Sequence, residues 1–169
     1  CGTKQIDSTT SEVKEKERFD ITFAELVAKL DVLYSIDLEL ITVVDSDDGS
    51  EIAAYRFIDE GDEISEMIHY SLHYDADSNK LYSISFFFDK NYKGDLEKAL
   101  TRYCYHIAAI AKTIENDINV EEFATEIIDA AIKWESKEDE FASTSINRNN
   151  FTLHAHCSDK FYNALFMPN

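Results

Sequence analysis

The sequence predicts an α+β fold: an antiparallel sheet covered on one face by helices. Three observations predict it. Segments of alternating character follow one another between residues 38 and 88, separated only by short turn-rich gaps. Such gaps suit antiparallel hairpins, because parallel strands need a long crossover. From residue 96 to 134 the apolar residues instead recur at three- and four-residue steps, the helical period. Alternation then returns between 141 and 157. With one leading helix, the expected order is α-β-β-β-β-α-α-β-β: a four-strand meander, two helices and a C-terminal hairpin.

The leading helix opens at Thr22-Phe23-Ala24-Glu25, a capping box in which the Thr22 hydroxyl and the Glu25 carboxylate satisfy each other's free backbone N–H groups. Ile21 and Leu26 stand where a hydrophobic staple closes. Phe23, Leu26, Val27, Leu30, Leu33 and Tyr34 form one stripe, which places Glu25, Lys29 and Asp31 toward water.

The first strand is expected over Leu38 to Val44, and Asp45-Ser46-Asp47-Asp48-Gly49-Ser50 turns the chain into a second over Ile52 to Ile58. Asp59-Glu60-Gly61-Asp62 turns it again. The third strand, Ile64 to Tyr74, points Ile68, Tyr70, Leu72 and Tyr74 inward and Met67, His69, Ser71 and His73 outward. Asp75 to Lys80 forms the next hairpin loop. The fourth strand, Leu81 to Phe88, is the richest in aromatic residues; Tyr82, Ile84, Phe86 and Phe88 are expected on its apolar face, with Leu81, Ser83, Ser85 and Phe87 opposite.

Asp95 then caps a helix whose stripe is Leu96, Leu100, Tyr103, Ile107, Ile110, Ala111 and Ile114. Asn119-Val120-Glu121-Glu122 starts another, stapled by Ile118 and Phe123 and lined by Phe123, Ile127, Ala131 and Trp134. Residues 135–140 are polar. Ser and Thr dominate the strand expected over Phe141 to Ile146. Arg148-Asn149-Asn150 is a turn, and Phe151 to Cys157 alternates clearly. Phe161, Leu165 and Phe166 dock the tail.

The chain has 169 residues, 44% of them hydrophobic, enough for one domain with a proper core. We place that domain at 20–169, after a polar tether at 1–19. Acidic residues outnumber basic ones 34 to 16, a net charge of -18. A phosphate backbone is repelled by such a charge, so direct nucleic-acid binding is disfavoured and no nucleic-acid partner is expected. No apolar run reaches the roughly 18 residues that a spanning helix needs. The polar stretch after Cys1, from Gly2 to Ser11 and on through Glu12 to Arg18, resembles the mature end of a bacterial lipoprotein. The resemblance covers only Cys1 and the tether. It implies removal of a signal peptide before Cys1, a lipid on that residue and an extracytoplasmic domain held at the bacterial cell membrane. As a flexible coil the tether would span on the order of 25 Å.

Candidate chemistry is sparse. His69 and His73 share one strand face, and His154 and His156 share another; were the two strands neighbours, four imidazoles could converge on zinc. Asp45 to Gly49 and Asp75 to Asn79 are faintly like calcium loops. Neither fits the EF-hand pattern: Gly49 comes one position early in the first, and Lys80 and Phe86 occupy ligand-loop positions in the second. Cys104 and Cys157 both read as inward-facing, and outside the cytoplasm they could pair. His106 reads as a structural residue of its helix. No phosphate loop, nucleophile elbow or zinc-protease motif is present. The expected function is therefore a non-catalytic binding or interaction role for a protein or small ligand, with a histidine metal site and an acidic inhibitor or immunity-type protein as alternatives.

Overall fold

A computed structural model describes residues 16–58, 67–135 and 141–169, with the backbone alone at 131–135 and 141–142. The elements run α1 (Phe23–Tyr34), β1 (Asp37–Asp45), β2 (Ser50–Ile58), β3 (Ile68–Asp75), β4 (Leu81–Asp89), α2 (Leu96–Ile114), α3 (Val120–Glu135), β5 (Phe141–Asn147), β6 (Phe151–Ser158) and β7 (Phe161–Pro168). The fold is α+β, and every strand pairing is antiparallel. The expected turn at 59–62 and the start of the third strand at 64–66 lie outside the described residues.

The element order and the helix-covered face are broadly as expected, but the strand count differs. The expected meander, β1 to β4, and hairpin, β5 and β6, are joined through a seventh strand into one sheet of order β1-β2-β3-β4-β7-β6-β5. The tail does more than dock: it forms β7, inserted between β4 and β6. Its inward residues Tyr162, Ala164 and Phe166 are almost wholly buried. Asn163 and Pro168 obscured this alternation, since both residue types are uncommon in strands.

The second correction concerns β4. Tyr74 pairs with Leu81 but His73 pairs with Ser83, so one extra residue, Tyr82, bulges out of the ladder. The bulge moves the inward position from Tyr82 to Leu81, which is fully buried, and turns Tyr82 to the other face. From Ile84 onward the expected row holds, with Ile84, Phe86 and Phe88 buried.

All three helices contribute to the one core on the inner face. In α1 the capping box forms as expected, with the Thr22 Oγ1 accepting from the Glu25 N–H at 3.2 Å and Glu25 accepting from the Thr22 N–H at 2.9 Å. Leu26 and Leu30 are buried, and the Phe23 ring stacks on Tyr74 at 4.3 Å. Leu33 is not on the core: it is 62% exposed, because Ser35 turns the chain left-handed (φ 54°) and ends the helix as it leaves the sheet. Asp95 caps α2 through the Lys98 N–H, and the Asn119 side chain accepts from the Glu121 and Glu122 N–H groups at the head of α3. Phe123 of α3 meets Phe151 of β6 edge-on. Ala131 and Trp134, expected on the same stripe, lie outside the described side chains.

Helix α2 lies over the seam between β4 and β7. The Tyr103 ring stacks on Phe86 at 4.6 Å and 9° and also contacts Phe88 and Tyr162. Three residues on, His106 is fully buried among Phe57, Phe86 and Tyr70. Its Nδ1 shares a 2.7 Å hydrogen bond with the Tyr70 hydroxyl. The structural role expected for His106 is what these contacts give it. Burial, helped by the nearby Arg102 charge, lowers its pKa to about 3. At the far end of α2, buried Glu115 accepts from the Asn149 side chain and the Asn150 N–H at 3.2 and 3.0 Å, tying the helix to the β5–β6 turn.

Two outcomes follow from this core. The imidazole of His106 titrates near 6.5 when unfolded and near 3 when folded, so in that window the unfolded chain binds a proton that the native state refuses. Stability therefore falls as pH drops from 6.5 toward 3, and a His106→Phe variant loses less over the same range in urea titrations; equal losses would refute the assignment. Glu115→Ala leaves the turn's donors unanswered and is expected to cost about 2 kcal/mol in the same assay.

Candidate functional site

Among the described residues no helix covers the other face of the sheet, and the chemistry-bearing side chains gather there. Register fixes a row on this face that runs Arg56, His69, Phe87, Asn163, His156 and Ser143 from β2 to β5. Strands β4 and β7 thus stand between the two histidine-bearing strands. Three steps of about 4.8 Å put His69 about 14 Å from His156 across the sheet. Side-chain length does not close that gap to a metal–nitrogen distance of about 2 Å. His154 meets Ser145 instead, with Nδ1 and Oγ 2.9 Å apart. His69 lies beside Phe87, and His73 bonds Ser50. Among the described residues no group of three or more His, Cys, Asp or Glu side chains is placed to hold a metal ion.

The two acidic turns use their carboxylates on the protein itself. Asp75 Oδ1 accepts from the Ser78 and Asp77 N–H groups at 2.8 and 3.0 Å and from the Ser78 hydroxyl. Its Oδ2 accepts from the Tyr82 hydroxyl at 2.9 Å and from the Arg18 guanidinium at 3.0 Å. These donors, the Ser78 N–H first, lower its pKa to about 2. Asp48 accepts from the Ser50 N–H and hydroxyl and pairs with Lys16, and these contacts hold its carboxyl well below the usual range. Gly49 between them takes φ +80°, which a side chain would strain. Both segments are hairpin turns whose carboxylates bond to the protein's own donors.

Cys104 and Cys157 are buried free thiols and form no disulfide. Burial pushes the Cys104 thiol up to about 12, so it behaves as a small hydrophobe. Near Cys157, the Lys90 ammonium donates to the Ser158 carbonyl at 3.1 Å and covers the Tyr162 ring.

One cluster does converge. Residues 16–18 lie beside the open face, where Lys16 and Arg18 approach the Tyr82 ring at 5.2 and 5.8 Å. The bulge that expels Tyr82 from the inner row is what supplies this ring, and His73 lies 5.2 Å from it on β3. Lys16, Glu17, His73, Tyr82, Ser83, Met167 and Pro168 enclose a cleft of about 520 Å³. The Asp48–Ser50–His73 chain beside it is not a catalytic triad. Here the serine is the middle member and is only 2% exposed. Its single proton goes to Asp48, so His73 Nε2 donates to it; the imidazole is no base toward this hydroxyl. Burial and the Lys16 charge lower the His73 pKa, opposed by Asp48.

Sequence reasoning had His73 but not its companions. The signal lay in the aromatic and cationic residues at 16, 18 and 82, whose meeting depends on a bulge and on the path of the chain before α1. Compared with protein-family models, with curated proteins and with solved structures, the chain gives no significant match. No helix among the described residues is long and apolar enough to cross a membrane.

Asp75 joins the turn, Arg18 and Tyr82, and its folded pKa of about 2 lies below the ordinary carboxyl value of 3.8. Its contribution is present above 3.8 and disappears as pH falls through 2. Asp75→Ala is expected to lower the melting temperature at neutral pH and to flatten the acid side of the stability profile across that window; an unchanged profile would show that the cluster does not depend on it.

Proposed function

We propose that this protein is a non-catalytic binding domain that takes a small ligand, or a side chain of a partner, in the cleft on the open sheet face. The observation that carries this reading is the cleft itself. Tyr82, Met167 and Pro168 supply apolar surface, while Lys16, Glu17, His73 and Ser83 supply a few polar groups. Concave sites that mix mostly apolar surface with a few polar groups are where small ligands bind. The Tyr82 ring is braced by its hydrogen bond to Asp75, so its face is preorganised for stacking. A soluble fragment library observed by NMR tests the reading. Fragments should perturb His73, Tyr82 and Met167, and Ser83→Trp, which fills the cleft from outside the core, should abolish the shifts. Shifts scattered over other faces, or unaltered in the variant, would end it.

Location forms a second part of the proposal: an extracytoplasmic domain anchored through lipid on Cys1. It rests on the lipoprotein-like tether described above. Expressed from its natural gene in a bacterial host, the protein should partition into a detergent phase, and Cys1→Ser should return it to the aqueous phase. Aqueous partitioning of the unaltered protein would refute the anchor.

A further inference from the structure

The two edges of the sheet are unlike. At β5 the exposed edge is rich in Ser143, Thr144, Ser145 and Asn147. At β1 it carries Leu40, Ile41, Val43 and Val44, which are 44–55% exposed. No residue from Glu39 to Asp45 is buried, so this strand is bare on both faces and not only along its rim. Natural edge strands are blunted by shortness, proline, lysine or a bulge. β1 is nine residues long with no proline or lysine; of these devices it carries only the register shift at Ile41. On its outer side it has no strand partner among the described residues. Its backbone groups there are a template for one more strand.

Charge says which kind of strand. Asp37, Glu39 and Asp45 lie on β1, and Asp47 and Asp48 follow in its turn. Arg56 pairs with Glu39 and Lys16 with Asp48, so Asp37, Asp45 and Asp47 carry the negative bracket. The apolar middle is thus bracketed by acid, on a chain of net charge -18. The same bracket works against a second copy. Antiparallel self-pairing centred on Ile41 would set Asp37 opposite Asp45 on both sides, and like charges directly opposite destabilise a pair.

We propose that the β1 edge is a docking site for an extended segment of another protein, one that alternates β-branched residues with Lys or Arg and adds as an eighth strand. Main-chain hydrogen bonds would supply affinity, Val43 and Val44 the apolar contact, and the acidic bracket the selection. This surface is separate from the cleft, and either site can fail without the other.

The test uses the whole protein and a labelled nonapeptide of alternating Lys and Val, with a Glu–Val peptide as counterpart. Fluorescence anisotropy should show binding of the Lys–Val peptide alone, weakening as salt rises. Amide exchange should slow in β1 and nowhere on the cleft. Val44→Lys, placed on an exposed strand so that the fold survives, should weaken binding about tenfold, by repulsion and lost apolar contact; circular dichroism checks the fold. Four results would overturn the proposal: no binding, equal binding of both peptides, protection elsewhere, or sedimentation as a dimer that Val44→Lys dissociates, which would make the occupant a second copy.

Discussion

The pairing of β4 with β7 is the interaction on which the architecture depends. Without it the chain would form two separate antiparallel ribbons, β1 to β4 and β5 to β7. With it, they become one sheet whose middle is buried on the helix side. The seam is covered by α2, where the Tyr103 ring touches Phe86, Phe88 and Tyr162 from both sides of the join. That cluster explains why the most aromatic strand lies at the centre of the sheet: large rings are most stabilising where both a helix and two strands can surround them.

Placing all the helices on one face has a functional consequence. The inner face holds nearly every large side chain, while the outer one is left with histidine, serine, threonine and scattered aromatic groups. A single bulge then converts an ordinary ladder position into a half-buried aromatic platform on the outer face. The acidic turns at either side of β2 and β3 anchor Lys16 and Arg18 over that platform. The structure thus uses its few cations locally and leaves a large negative excess elsewhere.

Much of this was readable from residue order. Capping at Thr22, Asp95 and Asn119, the alternation of Ile68 to Tyr74 and of Phe151 to Cys157, and the α2 stripe from Tyr103 to Ala111 are local patterns, and each was realised, whereas Leu96 at the head of that stripe is exposed. What failed to show depended on non-local facts. Strand order decides whether His69 and His156 meet, and alternation says nothing about order. The bulge at Tyr82 is a register decision between two strands, invisible within either. β7 was obscured because Asn163 and Pro168 break the pattern that Tyr162, Ala164 and Phe166 otherwise keep. The cleft inherits all three ambiguities, so its members could be named singly but not assembled.

The insertion of β7 between β4 and β6 also constrains the order of events in the cell. Phe166 of β7 leaves the ribosome 82 residues after Ile84, its partner on β4. During that interval Phe86 and Phe88 border an unfinished edge, and distant pairings of this kind close slowly. A nascent chain of this topology therefore passes through a stage that invites aggregation, and a transient guardian, or the early collapse of α2 onto β4, would determine how much of it matures.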